Sequence, residues 1–258
     1  MAKAAGGTEL IDREYVAGLE KGLAVIEAFG RRKSALTITE VGAAALMSRA
    51  AARRCLRTLH HLGYADFDGK YYRLASRVLR LGHAYLSSNT LPRFVQPVIE
   101  AASERTHRSI SVAILDRTDV VVVARAHVHR SLADGIGIGS HLPAYCSANG
   151  RVLLSAFTDQ KILSLFGRKP LPRLTAHTKT KSRDVLAEIK AVRTRGYATN
   201  EQEVELGVRT IAVPIRTRSG EIAASLSMSA PVGDFDRTGL IKLLPELDAA
   251  RRRIEAVL

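Results

Sequence analysis

The sequence predicts an α+β fold in two domains, and three observations predict it. Its 258 residues exceed one domain of ordinary size and fit two. The first third reads as three helices followed by a hairpin. The remainder reads as strands, a helix, strands and a closing helix, the order of a mostly antiparallel sheet with segregated helices. The expected division is a flexible tail over 1–14, a winged helix-turn-helix over 15–75, a linker helix over 76–90 and a second domain over 91–258.

Leu19, Leu23, Ile26 and Phe29 form one stripe of a first helix over 16–29, which Gly30 ends and Arg31, Arg32 and Lys33 follow. Thr37-Ile38-Thr39-Glu40 fits a capping box, in which hydroxyl and carboxylate satisfy free backbone donors, and opens a short helix to about Leu46. Ser48 is the expected N-cap of a longer helix from Arg49 to Leu62, closed by Gly63. At about 100° per residue that helix has two faces. Ala52, Cys55, Leu56, Leu59 and Leu62 share one arc; Arg49, Arg53, Arg54, Arg57, His60 and His61 share the other. Solvated helix faces usually mix signs, yet no Asp or Glu occurs from Met47 to Ala65.

Leu46-Met47 is short enough for the turn of a helix-turn-helix, whose second helix enters the DNA major groove N-terminus first. Ser48, Arg49, Ala50, Arg53 and Arg54 are therefore candidates for base edges, with Thr39 beside them, and Arg57 is a candidate for phosphate. Asp68-Gly69 between Tyr64–Phe67 and Lys70–Leu74 predicts a hairpin wing. Lys70 and Arg73 are the wing's candidates for backbone or minor-groove contact, although Arg73 reads equally well as a residue that seals the hairpin. Ser76 is expected to cap a helix to about Ser87. Its Val78, Leu79, Leu81, Tyr85 and Leu86 spread apolar surface over more than one side, which suits a connector and dimer contact.

In the second domain Pro92 suits the first turn of a helix running to Thr106. Strands are expected over 109–115 and 120–126, a helix over 182–195 with Val185, Leu186, Ile189 and Val192 inward, and strands over 211–215 and 222–228 around Arg218-Ser219-Gly220. A single helix is expected over 236–258. Two stretches, Gly135–Gly150 and Asn200–Gly207, read as irregular loops rich in small and polar residues, where binding groups tend to sit.

Composition narrows the partners. The formal charge is +14, and from Lys21 to Arg80 there are 12 Lys or Arg against four Asp or Glu, so a polyanion, most often nucleic acid, is expected at the first domain. No run approaches the roughly 18 apolar residues of a membrane span, and the N-terminus lacks a signal-peptide core, which together predict a cytoplasmic chain. Cys55 and Cys146 have no CxxC or Cys/His neighbours, so neither a metal site nor a disulfide is expected. Gly135-Ile136-Gly137-Ile138-Gly139 lacks the GK[ST] of a phosphate loop, and no cofactor is expected. His141 and Cys146 lack an orienting third group, so a thiol nucleophile is not expected and the chain reads as no enzyme.

The chain resembles the IclR family of bacterial transcriptional regulators. The resemblance rests on Leu19–Phe29, the helix Ser48–Leu62, Leu142-Pro143 through Gly150-Arg151-Val152-Leu153-Leu154, Arg195-Gly196-Tyr197, Glu205–Arg209 and Ile211–Pro214. The stretches LPAYCSANGRVLL, DGKYYRLASRVLRLGHAYLSS and NEQEVELGVRTIAVPI resemble the branch that controls aromatic-acid catabolism and answers to β-ketoadipate-pathway compounds. The resemblance implies a GAF-like effector domain, a homodimer or homotetramer on a palindromic double-stranded DNA operator, and a small organic acid as effector. RNA polymerase is a further candidate partner. Carried over by position, it implies an effector pocket at Ala148, Asn149, Asn200, Thr210, Ser227 and Ser229, with Tyr145 beside them. Asn200 stands where some members carry Asp, and Thr210 where some carry Cys, which leaves the ligand's identity open. Arg209, Arg125, His127 and His141 are unranked candidates for a cation facing a carboxylate, and Arg209 is carried with the pocket.

Overall fold

The computed structural model describes residues 15–29, 34–127, 136–167 and 169–258. The expected tail, Gly30 with its basic run, and Gly135 lie outside the described residues. The chain divides into two compact units, 1–84 and 85–258.

The first unit holds α1 (Ala17–Glu27), α2 (Ile38–Ala44), α3 (Arg49–His61), β1 (Ala65–Phe67) and β2 (Tyr72–Leu74). The Thr37 capping box forms in full, with Thr37 N donating to the Glu40 carboxylate at 2.8 Å and Glu40 N donating to the Thr37 hydroxyl at 3.3 Å. Ser48 caps α3 by accepting from Ala51 N at 3.2 Å. Gly63, at φ +75°, ends α3, and Arg77 donates to the Leu62 carbonyl at 2.6 Å, a cation at the negative end of the helix. Val25, Phe29, Leu36, Val41, Ala52, Leu56, Leu59, Ala65 and Tyr72 form the core.

Three expectations need correction here. Leu19 and Leu23 are exposed, whereas Ile26 and Phe29 of the same stripe pack with the core, joined by Val25. Leu62, one residue past α3, has left the apolar arc and is exposed. The wing turn is four residues, Asp68–Tyr71, because Phe67 pairs with Tyr72 and the Asp68 carboxylate accepts from both Lys70 N and Tyr71 N. Lys70 and Tyr71 therefore lie in the turn and not in β2. Leu36 pairs with Tyr72 through two backbone bonds and ties the wing to the chain before α2.

A 3-10 turn (Ser76–Val78) leads into α4 (Leu79–Ser88). Ser76 lies inside that turn and makes no cap; Ala75 holds the capping position. No residue of α4 is buried.

The second unit continues with α5 (Thr90–Thr106), β3 (Ser109–Asp116), β4 (Asp119–Ala126), β5 (His141–Pro143), α6 (Ala148–Leu154), α7 (Asp159–Phe166), α8 (Ser182–Arg195), β6 (Ala198–Glu201), β7 (Val208–Arg216), β8 (Ile222–Pro231), α9 (Arg237–Ile241) and α10 (Leu244–Glu255). The six strands form one antiparallel sheet in the order β5-β4-β3-β8-β7-β6. On one face, Ile110, Val112, Ile211, Val213, Leu226 and Met228 pack with Val95 and Ile99 of α5 and Leu247 and Ile254 of α10. On the other face lie α6 and α8, where Ala148, Val152 and Val192 meet Ala198 and Ala212.

Both expected loops contain regular structure. The first holds β5 and the start of α6, and Asn200 belongs to β6. The expected closing helix is two. Asp236 caps α9, the chain breaks at Lys242-Leu243, and Pro245 stands in the first turn of α10, where its missing N–H costs nothing.

Candidate functional site

The cationic face of α3 is built as the helix period requires. Ala51, Ala52, Leu56 and Leu59 are buried, whereas Ser48, Arg49, Ala50, Arg53, Arg54, Arg57, His60 and His61 are exposed. Arg49, Arg53, Arg57 and His60 flank a groove that reaches Phe67 and Tyr72 on the wing. Phe67 is exposed and stacks on Tyr72 at 4.4 Å. His60 Nδ1 lies 2.9 Å from the Ala65 carbonyl, which orients the imidazole. Thr39 is exposed. Lys70 sits at the wing tip, its ammonium over the Tyr71 ring. Arg73 pairs with Asp68 at 2.6 Å, so its guanidinium braces the wing turn. The two backbone bonds and Arg73 hold the Asp68 carboxyl down at about 2.

The second site lies between β3, β4, β7 and β8, α6, β6 and the loop after β6. Its cavity has about 60 Å³ open to the centre of a water molecule, where one water needs roughly 10–15 Å³. Ala148, Asn149, Asn200, Thr210, Ser227 and Ser229 all line it, as do Ser111, Arg125, Val122, Val204 and Val208. Strand alternation explains why these residues meet. Ser225, Ser227 and Ser229 share the face of β8 that looks toward α6, and Thr210 pairs with Ser229 across β7 and β8.

The polar groups are bonded in three sets. Asn149 donates to the Ser227 hydroxyl at 3.0 Å and accepts from Ser225 at 2.9 Å. The Thr210 and Ser229 hydroxyls are 3.0 Å apart. Asn200 donates to the Cys146 carbonyl and accepts from Glu203 N at 3.2 Å. Gly150 sets how close α6 approaches, because a Cβ there would lie 2.2 Å from the Ala144 carbonyl oxygen.

Tyr145 and Arg209 do not line the cavity. Tyr145 points its hydroxyl at the Pro172 carbonyl, 2.5 Å away, and packs edge-on against Phe166. Arg209 pairs with Glu201 at 2.7 Å and donates to the carbonyls of Val232 and Phe235. His141 is exposed and also outside the lining. Burial pushes the Cys146 thiol up to about 12, and it points at the Pro143 carbonyl.

One feature escaped the sequence reading. Arg151 and Glu203 form a buried two-pronged ion pair, at 2.7 Å for each oxygen, with both side chains nearly sealed from solvent. Arg151 also donates to the carbonyls of Tyr145 and Thr199, and Glu203 accepts from Lys179 N. The pair fastens the loop after β6 to α6. A charged residue inside a segment where all of Ala148–Leu154 is buried was the available signal.

Residues 83–256 match the C-terminal domain of the bacterial transcriptional regulator IclR, and residues 18–69 match the IclR helix-turn-helix domain. The chain belongs to the IclR family. This IclR-family chain is 42% identical to the Pca regulon regulatory protein of Pseudomonas putida, over 93% of its own length and 84% of that protein. It is 38% identical to the p-hydroxybenzoate hydroxylase transcriptional activator of Acinetobacter baylyi, over 85% and 83%. Among solved structures, it resembles a double mutant of the PobR inducer-binding domain from Acinetobacter in complex with 3-hydroxybenzoic acid. Identity is 29%, with a TM-score of 0.62 over 66% of this chain and all of that one. Among the described residues no helix is long and apolar enough to cross a membrane, and no cluster of three His, Cys, Asp or Glu side chains could hold a metal.

Proposed function

We propose that this IclR-family regulator senses an aromatic acid or its ring-cleavage product and controls the genes that degrade it. The single observation that carries the reading is the cavity beneath α6. Hydroxyls and amides from β3, α6, β6, β7 and β8 converge there, with Arg125 and Glu205, on a space whose remaining lining is apolar, as a small polar organic ligand requires. The regulators of Pseudomonas and Acinetobacter named above support the aromatic class.

Operator recognition is assigned to α3 and the wing. Ser48, Arg49, Ala50, Arg53 and Arg54, with Thr39 alongside, face base edges; Arg57 and Lys70 meet phosphates; Arg73 acts through the wing turn it braces. A palindromic operator calls for two copies, and the exposed Leu79, Leu81 and Tyr85 of α4 suit self-association. A DNA operator as partner supports a cytoplasmic location. Catalysis by Cys146 or His141 finds no support, since the thiol holds its proton at neutral pH and the imidazole lies on the surface. Effector binding can change operator affinity only if it favours one of two states unequally.

The test is fluorescence anisotropy of the full chain on duplexes from its own promoter region, with and without 4-hydroxybenzoate, 3-hydroxybenzoate and adipate. A duplex bound tightly, with affinity altered by at least one acid, is expected. A chain that ignores its own promoter, or whose binding no acid changes, ends the proposal.

A further inference from the structure

The cavity contains one cation among its described lining residues, and it is held in place by its neighbours. Arg125 lies on β4, directly paired with Ser111 on β3, and Ser111 pairs in turn with Ser227 on β8. Arg125 therefore stands at one end of a cross-strand row that runs under α6. Its Nε donates to His127 Nε2 at 2.8 Å, and one Nη donates to the Ser111 hydroxyl at 3.3 Å. One bond to the neighbouring strand and one to the residue just past β4 fix the plane of the guanidinium. The other three cations proposed for this role are elsewhere: Arg209 is bonded to Glu201 and two carbonyls, His127 is exposed, and His141 lies outside the lining.

A carboxylate moved from water into an apolar cavity is costly unless a cation and hydrogen bonds receive it, and a planar guanidinium matches its two oxygens. On the far side of the row, β7 and β8 present the Thr210–Ser229 hydroxyl pair. Strands in a sheet are spaced about 4.8 Å, so β7 lies roughly 14 Å from β4 before side chains reach inward. Val122 and Leu142 line the cavity beside Arg125, and Val204 and Val208 line it beside Thr210.

We propose that Arg125, oriented by Ser111 and His127, binds the effector's carboxylate, and that the Thr210–Ser229 pair receives a second polar group across an apolar body. The ligand class is thus an acid with its two polar groups at opposite ends. The inference rests on the effector reading above but can fail separately from it.

Isothermal titration of the full chain with 4-hydroxybenzoate, 4-hydroxybenzamide, 2-hydroxybenzoate and adipate tests it. Wild type should bind 4-hydroxybenzoate about 10- to 100-fold more tightly than the amide or the 2-hydroxy isomer. Arg125→Met should erase the preference for acid over amide while leaving amide binding nearly unchanged. Arg125→Lys and Ser111→Ala should give intermediate losses, and they keep the test open if Arg125→Met does not fold. A preference for the acid that survives in all three variants overturns the anchor and leaves the aromatic reading standing. Binding of adipate alone, abolished in Arg125→Met, supports the anchor and identifies the effector as the ring-cleavage product, overturning recognition of the aromatic acid itself. Binding of none of the four overturns both.

Discussion

At the scale of single residues, Leu46 holds the helix-turn-helix corner at φ +53° while 94% exposed. Its side chain earns little burial there, and a left-handed backbone costs a branched residue about 1–2 kcal/mol. Leu46→Gly should therefore raise stability by up to about 1 kcal/mol, read as a higher melting temperature; a lower one would show that the turn is unstrained. The two cysteines should differ in the same way that their surroundings do. Cys55 is partly exposed, whereas Cys146 is buried with its thiol pushed up to about 12. Alkylation of native protein at pH 8, counted by mass spectrometry, should modify Cys55 and spare Cys146 until denaturant is added. Below pH 9 both folded and unfolded chains keep the Cys146 proton, so that thiol adds no pH dependence. Above it the unfolded chain ionises first, so stability should fall between about 9 and 12. The exposed cationic face of α3 was legible because an unbroken arc of Arg and His is visible on a helical wheel. Tyr145 and Arg209 were misplaced because proximity along the chain does not tell which way a side chain turns.

At the scale of elements, α3 and the β wing should divide their labour. Arg53→Ala and Arg54→Ala should each cost about 1–3 kcal/mol on the preferred operator and relax its sequence preference. Lys70→Ala should weaken all duplexes alike and reduce the salt slope by about one. Equal losses on every sequence from all three would refute base reading by α3. In the second unit, α6 is held by the Arg151–Glu203 pair. Arg151→Met leaves a buried carboxylate without its partner and should cost about 3–5 kcal/mol, measured by denaturant melts; a loss under 1 kcal/mol would mean that water reaches the site. The caps at Thr37 and Ser48, the Gly63 stop and the limits of α8 could be read from sequence because each depends on local chemistry. The start of α6 could not. It is buried on all sides, so it has no polar stripe to betray a period, and its Ser-Ala-Asn-Gly opening looks like a loop. β6 escaped because four residues are too few to show alternation, and α9 and α10 were merged although Pro245, just past the Lys242-Leu243 break, is the signal that parts them.

At the scale of the whole molecule, fold class and the antiparallel order follow from the sequence of strand and helix patterns, while the joining of β3 to β8 does not. That pairing links segments more than 100 residues apart, and the irregular stretch between them hides it. The same pairing gives β8 two unrelated jobs. Ala224, Leu226 and Met228 fill the core against α5 and α10, while Ser225, Ser227 and Ser229 look the other way. Under the proposed effector site, stability and chemical taste are interleaved on one strand without sharing a position. Drift at the odd-numbered sites should then retune which compound is recognised while the even-numbered ones keep the scaffold intact. A library varying only Ser111, Thr210, Ser227 and Ser229 should yield many folded members with altered ligand preference, whereas one varying Leu226 and Met228 should yield few.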